Sequence, residues 1–328
     1  MIKTRVAPLI LSLCAVILLP VTYASSGKDV PSYHIIKKIS VGGQGGWDYL
    51  TIDPDTRRLY VSHSTQVEVV DLDSGKLIGN IPNTPGVHGI AIARIGGYAY
   101  ISNGKAASVT VIDRKSLKKI TDVAVGNKPD AIIFDPSSSR IFAFNGSDNT
   151  ATAIDANNNK VLGTIKVGAS PEFAVADGTG FVFNNSEDES VLLKIGAQKL
   201  DVEQRWPLAP CQAPSSMDMD RENHRIFIGC RNKMMAVVNS DNGQVLTTLP
   251  IGDHVDATAF DSERGLIFNS NGEGNITVIH QDGPDQYRVV QTIPTLPRSK
   301  TMALDKKTHQ LYVPAMDSGQ FVVLVIGQ

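Results

Sequence analysis

Asp130-Ala-Ile-Ile-Phe-Asp135 is a short apolar run closed by an aspartate, and the same phrase recurs along the chain. It returns as Asp48-Tyr-Leu-Thr-Ile-Asp53, Glu172-Phe-Ala-Val-Ala-Asp177, Ser215-Ser-Met-Asp-Met-Asp220, Asp256-Ala-Thr-Ala-Phe-Asp261 and Lys300-Thr-Met-Ala-Leu-Asp305, with His88-Gly-Ile-Ala-Ile-Ala93 as a divergent seventh copy. The starts lie 40 to 44 residues apart. That is the length of one four-stranded propeller blade, so seven copies predict seven blades.

Inside each copy a polar turn follows, such as Pro54-Asp-Thr-Arg57 or Pro136-Ser-Ser-Ser139. A second apolar stretch comes next, as in Arg58-Leu-Tyr-Val-Ser62 and Arg225-Ile-Phe-Ile-Gly229. The third reads Val67-Glu-Val-Val-Asp71 or Val109-Thr-Val-Ile-Asp113, and the fourth Lys76-Leu-Ile-Gly-Asn-Ile81 or Lys160-Val-Leu-Gly-Thr-Ile165. These stretches are short, rich in Val, Ile and Phe, and bounded by Gly, Pro, Asn and Asp, which is the chemistry of strands and not of helices. The last copy ends near Ile326 after three strands, while Tyr33-His-Ile-Ile-Lys-Lys-Ile-Ser40, ahead of the first copy, has the fourth-strand pattern. The sequence therefore predicts an all-β, seven-bladed β-propeller whose ring is closed by an N-terminal strand, about residues 33–41, completing the last blade.

The 328 residues are 42% hydrophobic and 20% charged, a balance that builds a core and argues against a disordered chain. Lys3 and Arg5 precede a mostly apolar run, Val6 to Val21, that leads into Thr22-Tyr-Ala-Ser25, the layout of a secretory signal peptide. Pro8, Ser12 and Pro20 break that run, and no other stretch is long and apolar enough to span a bilayer. Residues 1–24 are read as the leader and 25–328 as one propeller domain, monomeric and periplasmic or secreted. Cys14 lies deep in the apolar run behind Leu13, the wrong setting for lipid attachment. Loss of Lys3 and Arg5 deepens the formal net charge of −2, and no long basic run exists, so nucleic-acid binding is disfavoured.

The signature of Arg58-Leu-Tyr-Val-Ser62, the Gly-Lys-Leu-Ile-Gly strand at 75–79, Val125-Gly-Asn-Lys-Pro-Asp130 and Val167-Gly-Ala-Ser-Pro-Glu172 resembles the YVTN-repeat propellers, particularly YncE-like exported proteins. The resemblance covers essentially the whole chain after the leader and weakens around Phe181-Val-Phe-Asn184. It implies the propeller fold; it implies no particular chemistry, because the repeat residues hold blades together. The Gly-His and Trp-Asp marks of WD40 blades do not recur, and two tryptophans are too few for tryptophan-docked quinoprotein blades.

In this architecture the first residue of every copy opens onto one end of the central channel, here termed the top. The ring reads Asp48, His88, Asp130, Glu172, Ser215, Asp256, Lys300. Six of the seven can carry charge, more than a packed core tolerates, so the expectation is a mouth that binds a cation, a metal or a polar small molecule. Asp48, His88, Asp130 and Glu172 are consecutive, and oxygen donors with one imidazole suit a divalent metal ion. Alternatively His88 bridges Asp48 and Asp130 as an imidazolium, and Lys300 neutralises Asp256 and Asp48. The carboxylates of a functional mouth should have displaced pKa values.

His63 and His254 are expected on the same face, and the Asn-rich turns 145–148, 184–187 and 269–272 project there as turn formers or amide ligands. Cys211 and Cys230 should lie near one another, as a disulfide or as two thiolates for a soft metal such as copper(I), with Met234 or Met316 nearby. His224, His280 and His309 read as solvated residues of the bottom face. Gly42-Gly-Gln-Gly-Gly46 has no helix after it and reads as a flexible approach to the first blade, not a phosphate cradle. No nucleophile elbow, zinc-protease helix, Walker loop or dinucleotide fingerprint occurs.

The chain is accordingly read as a binding module for a small ligand, a metal ion or a protein partner at the top face, ahead of two alternatives. One is a metal-dependent enzyme of the lactonase or lyase type using the mouth carboxylates and His88. The other is a passive interaction scaffold, which calls for a mouth closed by its own salt bridges and an exposed apolar patch.

Overall fold

The computed structural model describes residues 1–2, 32–43, 45–168 and 170–328. Residues 3–24 of the expected leader, with Cys14, lie outside the described residues. The chain falls into two units, Met1–Val30 and Pro31–Gln328, and every strand among the described residues belongs to the second. Among the described residues no helix is long and apolar enough to cross a membrane.

The strands form seven four-stranded antiparallel sheets, six of them consecutive in sequence from the innermost strand outward. The first blade shows the logic: Trp47–Asp53 innermost, then Arg58–His63, Gln66–Asp71 and Lys76–Ile81. The second and third strands are almost wholly buried because neighbouring blades cover both faces, whereas the outermost strand is largely exposed. Each hydrophobic cluster draws on two adjacent blades: Ala131, Phe142 and Phe144 of the third pack with Val182, Leu193 and Ile195 of the fourth. The core is thus a set of inter-blade seams around the channel.

The seventh sheet closes the ring as expected. His34–Ser40 pairs antiparallel with the last strand, Gln320–Gly327, from His34 opposite Gly327 to Ser40 opposite Val322. Tyr33, just ahead of it, is buried edge-on against Phe268 and accepts a hydrogen bond from Arg264 at 2.7 Å.

The aspartate ending each repeat phrase is the other fixed point. Asp53, Asp135, Asp220, Asp261 and Asp305 are buried, and each accepts backbone N–H bonds from the polar turn that follows, as Asp135 does from Ser137 and Ser138. Three also receive a cation or imidazole from the next blade. Arg114 reaches Asp53 at 2.9 Å, Arg57 holds Asp305 with two parallel bonds of 2.8 and 2.7 Å, and His309 meets Asp261 at 2.7 Å. His309 is therefore a half-buried inter-blade tie and not the solvated residue its turn position suggests; His224, paired with Asp241 at 2.9 Å, does remain exposed.

Asp53→Ala should lower the unfolding free energy by about 3 kcal/mol, since it strands the buried Arg114 guanidinium with only Asp55 3.4 Å away. Urea unfolding of the variant beside wild type checks this. A change below about 0.5 kcal/mol would show the tie to be incidental.

Candidate functional site

Two backbone features deliver side chains to the top of the channel. In six innermost strands the ladder slips at its upper end, between Trp47 and Leu50, Val87 and Ile90, Pro129 and Ile132, Pro171 and Ala174, Pro214 and Ser216, and Val255 and Ala257. Such bulges re-aim side chains, and every ring residue from Asp48 to Asp256 falls inside one. The residue two positions earlier also has a left-handed backbone in six blades: Gly86, Lys128, Ser170, Ala213, His254 and Arg298, with φ between 47° and 67°. The seventh blade departs from the pattern. Its inner strand is only Ala303–Asp305, and Lys300 is presented from the loop that follows Arg298.

Asp48, His88 and Asp130 converge so that one ligand atom from each lies within 4.8 Å of the others. His88 Nδ1 is 2.6 Å from Asp48 Oδ2 and 3.6 Å from Asp130 Oδ1. Its far nitrogen faces Gly104, where a Cβ would come within 2.7 Å of Nε2, so the ring is held against backbone with Nδ1 turned toward the carboxylates. Burial opposes charging of His88, but the Asp48 hydrogen bond and the charges of Asp130 and Asp48 outweigh it, and the imidazole pKa is raised. Asp130 is pushed up to about 6 by burial, against the pull of His88 and with the repulsion of Asp48.

Glu172 is not part of this trio. It hydrogen-bonds to Glu187, and burial together with that shared-proton contact pushes its carboxyl up to about 9. Glu187 in turn meets Arg231 Nε at 2.7 Å. Asp256, pushed to about 6 chiefly by burial, pairs with Lys300 at 3.0 Å. The Ser215 hydroxyl donates to the Val255 carbonyl at 2.6 Å, stitching two blades. The ring thus has an acid-imidazole side, a Lys300 side and a Glu172–Glu187–Arg231 relay between them.

Asp48, Asp130, Glu172, Ser215, Asp256 and Lys300 line a cavity of about 140 Å³ together with Tyr49, Arg231 and Thr301. Tyr49 also lines a second cavity of about 290 Å³ walled by the apolar inner strands, where its ring packs 5.3 Å from Phe173. Its phenol pKa is raised well above the ordinary value by burial and by the four carboxylates above it.

Sequence reasoning placed the 184–187 turn on this face but missed the roles of Glu187 and Arg231. A signal existed: the residue after the second strand is glycine in three blades, Gly104, Gly146 and Gly272, but Glu187 and Arg231 in the fourth and fifth. Each is docked by its N–H onto the carbonyl of the left-handed residue of the preceding connection, so a side chain there overhangs the mouth.

Other expected residues are placed differently. His63 is buried against Phe321 and 3.4 Å from Glu68, inside the blade seam, while His254 is exposed on the rim. Cys211 and Cys230 are bonded to each other, both buried, so no thiolate is offered to a metal. Asn145 and Asn271 are buried and donate to threonines of the adjoining strand, Thr152 and Thr277, as structural amides.

No protein-family model matches the chain, and no curated protein is similar to it at a significant level. Solved structures are similar in fold. A chain of hydrazine synthase from Kuenenia stuttgartiensis is 16% identical, over 85% of this chain and 95% of that one, with a TM-score of 0.75. U3-55K is 10% identical over 90% and 98%, and a chain of the mitotic checkpoint complex 14% identical over 100% and 99%, both with TM-scores of 0.78. At these identities the likeness establishes the seven-bladed propeller alone.

Because Glu172 keeps its proton in the folded protein and releases it near the ordinary carboxylate range once unfolded, its contribution to stability is present at low pH and fades as pH rises toward 9. Urea midpoints of wild type should therefore fall between pH 5 and 9 by more than those of Glu172→Gln. Parallel pH profiles would remove the shared proton from the description.

Proposed function

We propose that the chain is an exported propeller of the YVTN-repeat, YncE-like kind, acting outside the cytoplasm as a one-domain binding module whose channel mouth takes up a divalent cation or a small polar ligand. The observation that carries this is the convergence of Asp48, His88 and Asp130 within 4.8 Å. Two carboxylate oxygens and one imidazole nitrogen form a donor set for a borderline divalent ion such as Mn²⁺ or Zn²⁺. The proton now shared by His88 Nδ1 and Asp48 holds the place that the ion takes. Beside the trio, the 140 Å³ cavity leaves room for water or for a polar group of the ligand.

The ion pairs at Lys300 and Arg231 also suit a passive scaffold, with a mouth closed by its own charges. Binding is favoured because those pairs leave Asp130, among the described residues, without a neutralising contact closer than 3.6 Å.

Uptake must release a proton, so affinity should climb as pH rises from 5 to 8 through the titration of Asp130 near 6 and of His88. Chelator-treated mature protein titrated with Mn²⁺ or Zn²⁺ in a calorimeter should take up one equivalent, and His88→Ala or Asp130→Asn should bind at least about tenfold more weakly. Stoichiometric uptake would justify a screen for hydrolase or lyase turnover. Absence of heat at millimolar metal, or equal binding by both variants, would refute the cation centre and move attention to partner capture on the top face.

A further inference from the structure

Beside the mouth, off the channel axis, lies a larger cavity of about 620 Å³. Its walls come from both sides of the ring closure: Trp47 from the first blade, Met316 from the seventh, Pro297 and Arg298 from the loop between the sixth and seventh, and Arg231 from the fifth. Arg231, Lys300 and Asp256 form the partition it shares with the small axial cavity.

The chemistry of its walls differs from that of the ring. Trp47 stacks by one face on Phe321, the rings 5.3 Å apart and 15° from parallel, which fixes the indole as a rigid wall. Met316, Pro297 and Val255 extend the apolar surface, and Met316 is among the few large hydrophobic side chains exposed on the propeller. Three permanent cations, Arg231, Arg298 and Lys300, face a single carboxylate, Asp256. Arg231 is engaged by Glu187 at 2.7 Å and Lys300 by Asp256 at 3.0 Å, whereas the exposed Arg298 guanidinium has no side-chain partner among the described residues. His254, on the same wall, is 4.0 Å from Asp253 and otherwise solvated. The repeat does not require these cations: the position of Arg298 is Gly86, Ser170 or Ala213 in other blades, and that of Arg231 is glycine in three.

We infer that this off-axis pocket is a binding site for a small organic anion with a flat apolar body, its anionic group held by Arg298 with support from Lys300 and Arg231 and its body against Trp47 and Met316. A guanidinium offers paired N–H donors to a carboxylate or phosphate oxygen pair, and an indole wall presents a flat apolar surface to the remainder. A volume of 620 Å³ lies within the ordinary range of small-molecule pockets. The pocket does not depend on the cation centre, since it shares none of Asp48, His88 or Asp130.

The chain has two tryptophans, Trp47 and Trp206, so ¹⁵N-labelled protein should give two indole N–H signals, assigned by Trp206→Phe. Titration with benzoate should move the Trp47 signal saturably and leave Trp206 in place, and the neutral isostere benzamide should bind about tenfold more weakly or not at all. Arg298→Ala, at an exposed side chain, should weaken benzoate by about tenfold while leaving both free-protein signals where they are. His88→Ala should leave benzoate binding intact, which separates this site from the cation centre. Equal shifts with benzoate and benzamide, an unmoved Trp47 signal at saturating benzoate, or undiminished binding by Arg298→Ala would each overturn the proposal.

Discussion

A carboxylate sealed from water must be given partners, and the lower end of most blades is organised around that demand. Asp53, Asp135, Asp220, Asp261 and Asp305 each take the N–H groups of the turn that follows, so the turn, and with it the start of the second strand, is set by the acid that ends the first. Where a neighbour's Arg114, Arg57 or His309 is added, the same acid also fixes one blade against the next. A short apolar strand of six or seven residues has little register of its own; the aspartate supplies it. Blade 2, which has Ala93 at this point, instead buries that methyl in the seam with Tyr100 and Ile141.

With the lower ends pinned, the upper ends are free to differ. Bulges and left-handed connections repeat around the ring while the side chains they present do not, so a backbone with near seven-fold regularity carries a polar mouth with distinct sides. Carboxylates and imidazole gather at Asp48, His88 and Asp130; cations gather at Arg231, Arg298 and Lys300; Glu172 and Glu187 share a proton between them. Burial, and after it the neighbouring carboxylates, oppose ionisation in this cavity, and the raised pKa values of Asp130, Asp256 and Glu172 express that limit.

The fold was legible because each blade repeats its local chemistry: the phrase ending in aspartate, the polar turn, and the Val- and Ile-rich strands recur at one spacing, and the fourth-strand pattern of residues 33–40 had a single place to go. The seven ring positions followed from the same register. What sequence could not supply was which ring residues meet. His88 stands 40 and 42 positions from its two aspartates, and Glu172 finds Glu187 through a turn whose direction depends on the preceding connection. His63 reads as a turn residue but is drawn inward by Phe321, and His309 by Asp261. Those outcomes depend on neighbouring blades. The exchange of glycine for Glu187 and Arg231 was visible in the letters, and only the docked turn explains why it matters.

Closure by the N-terminal strand has a kinetic side. Six blades are chains of adjacent hairpins that can form as soon as their own residues are available, but the pairing of His34–Ser40 with Gln320–Gly327 joins segments nearly the whole chain apart. Asp48 and Lys300 stand on either side of that junction, and so do Trp47 and Phe321, whose stacking crosses it. The mouth and the off-axis pocket are therefore complete only when that junction is closed. A ligand lodged against Trp47 and Met316 bridges the junction and resists its opening, so occupancy would act as a latch on the one blade that can unzip from an end.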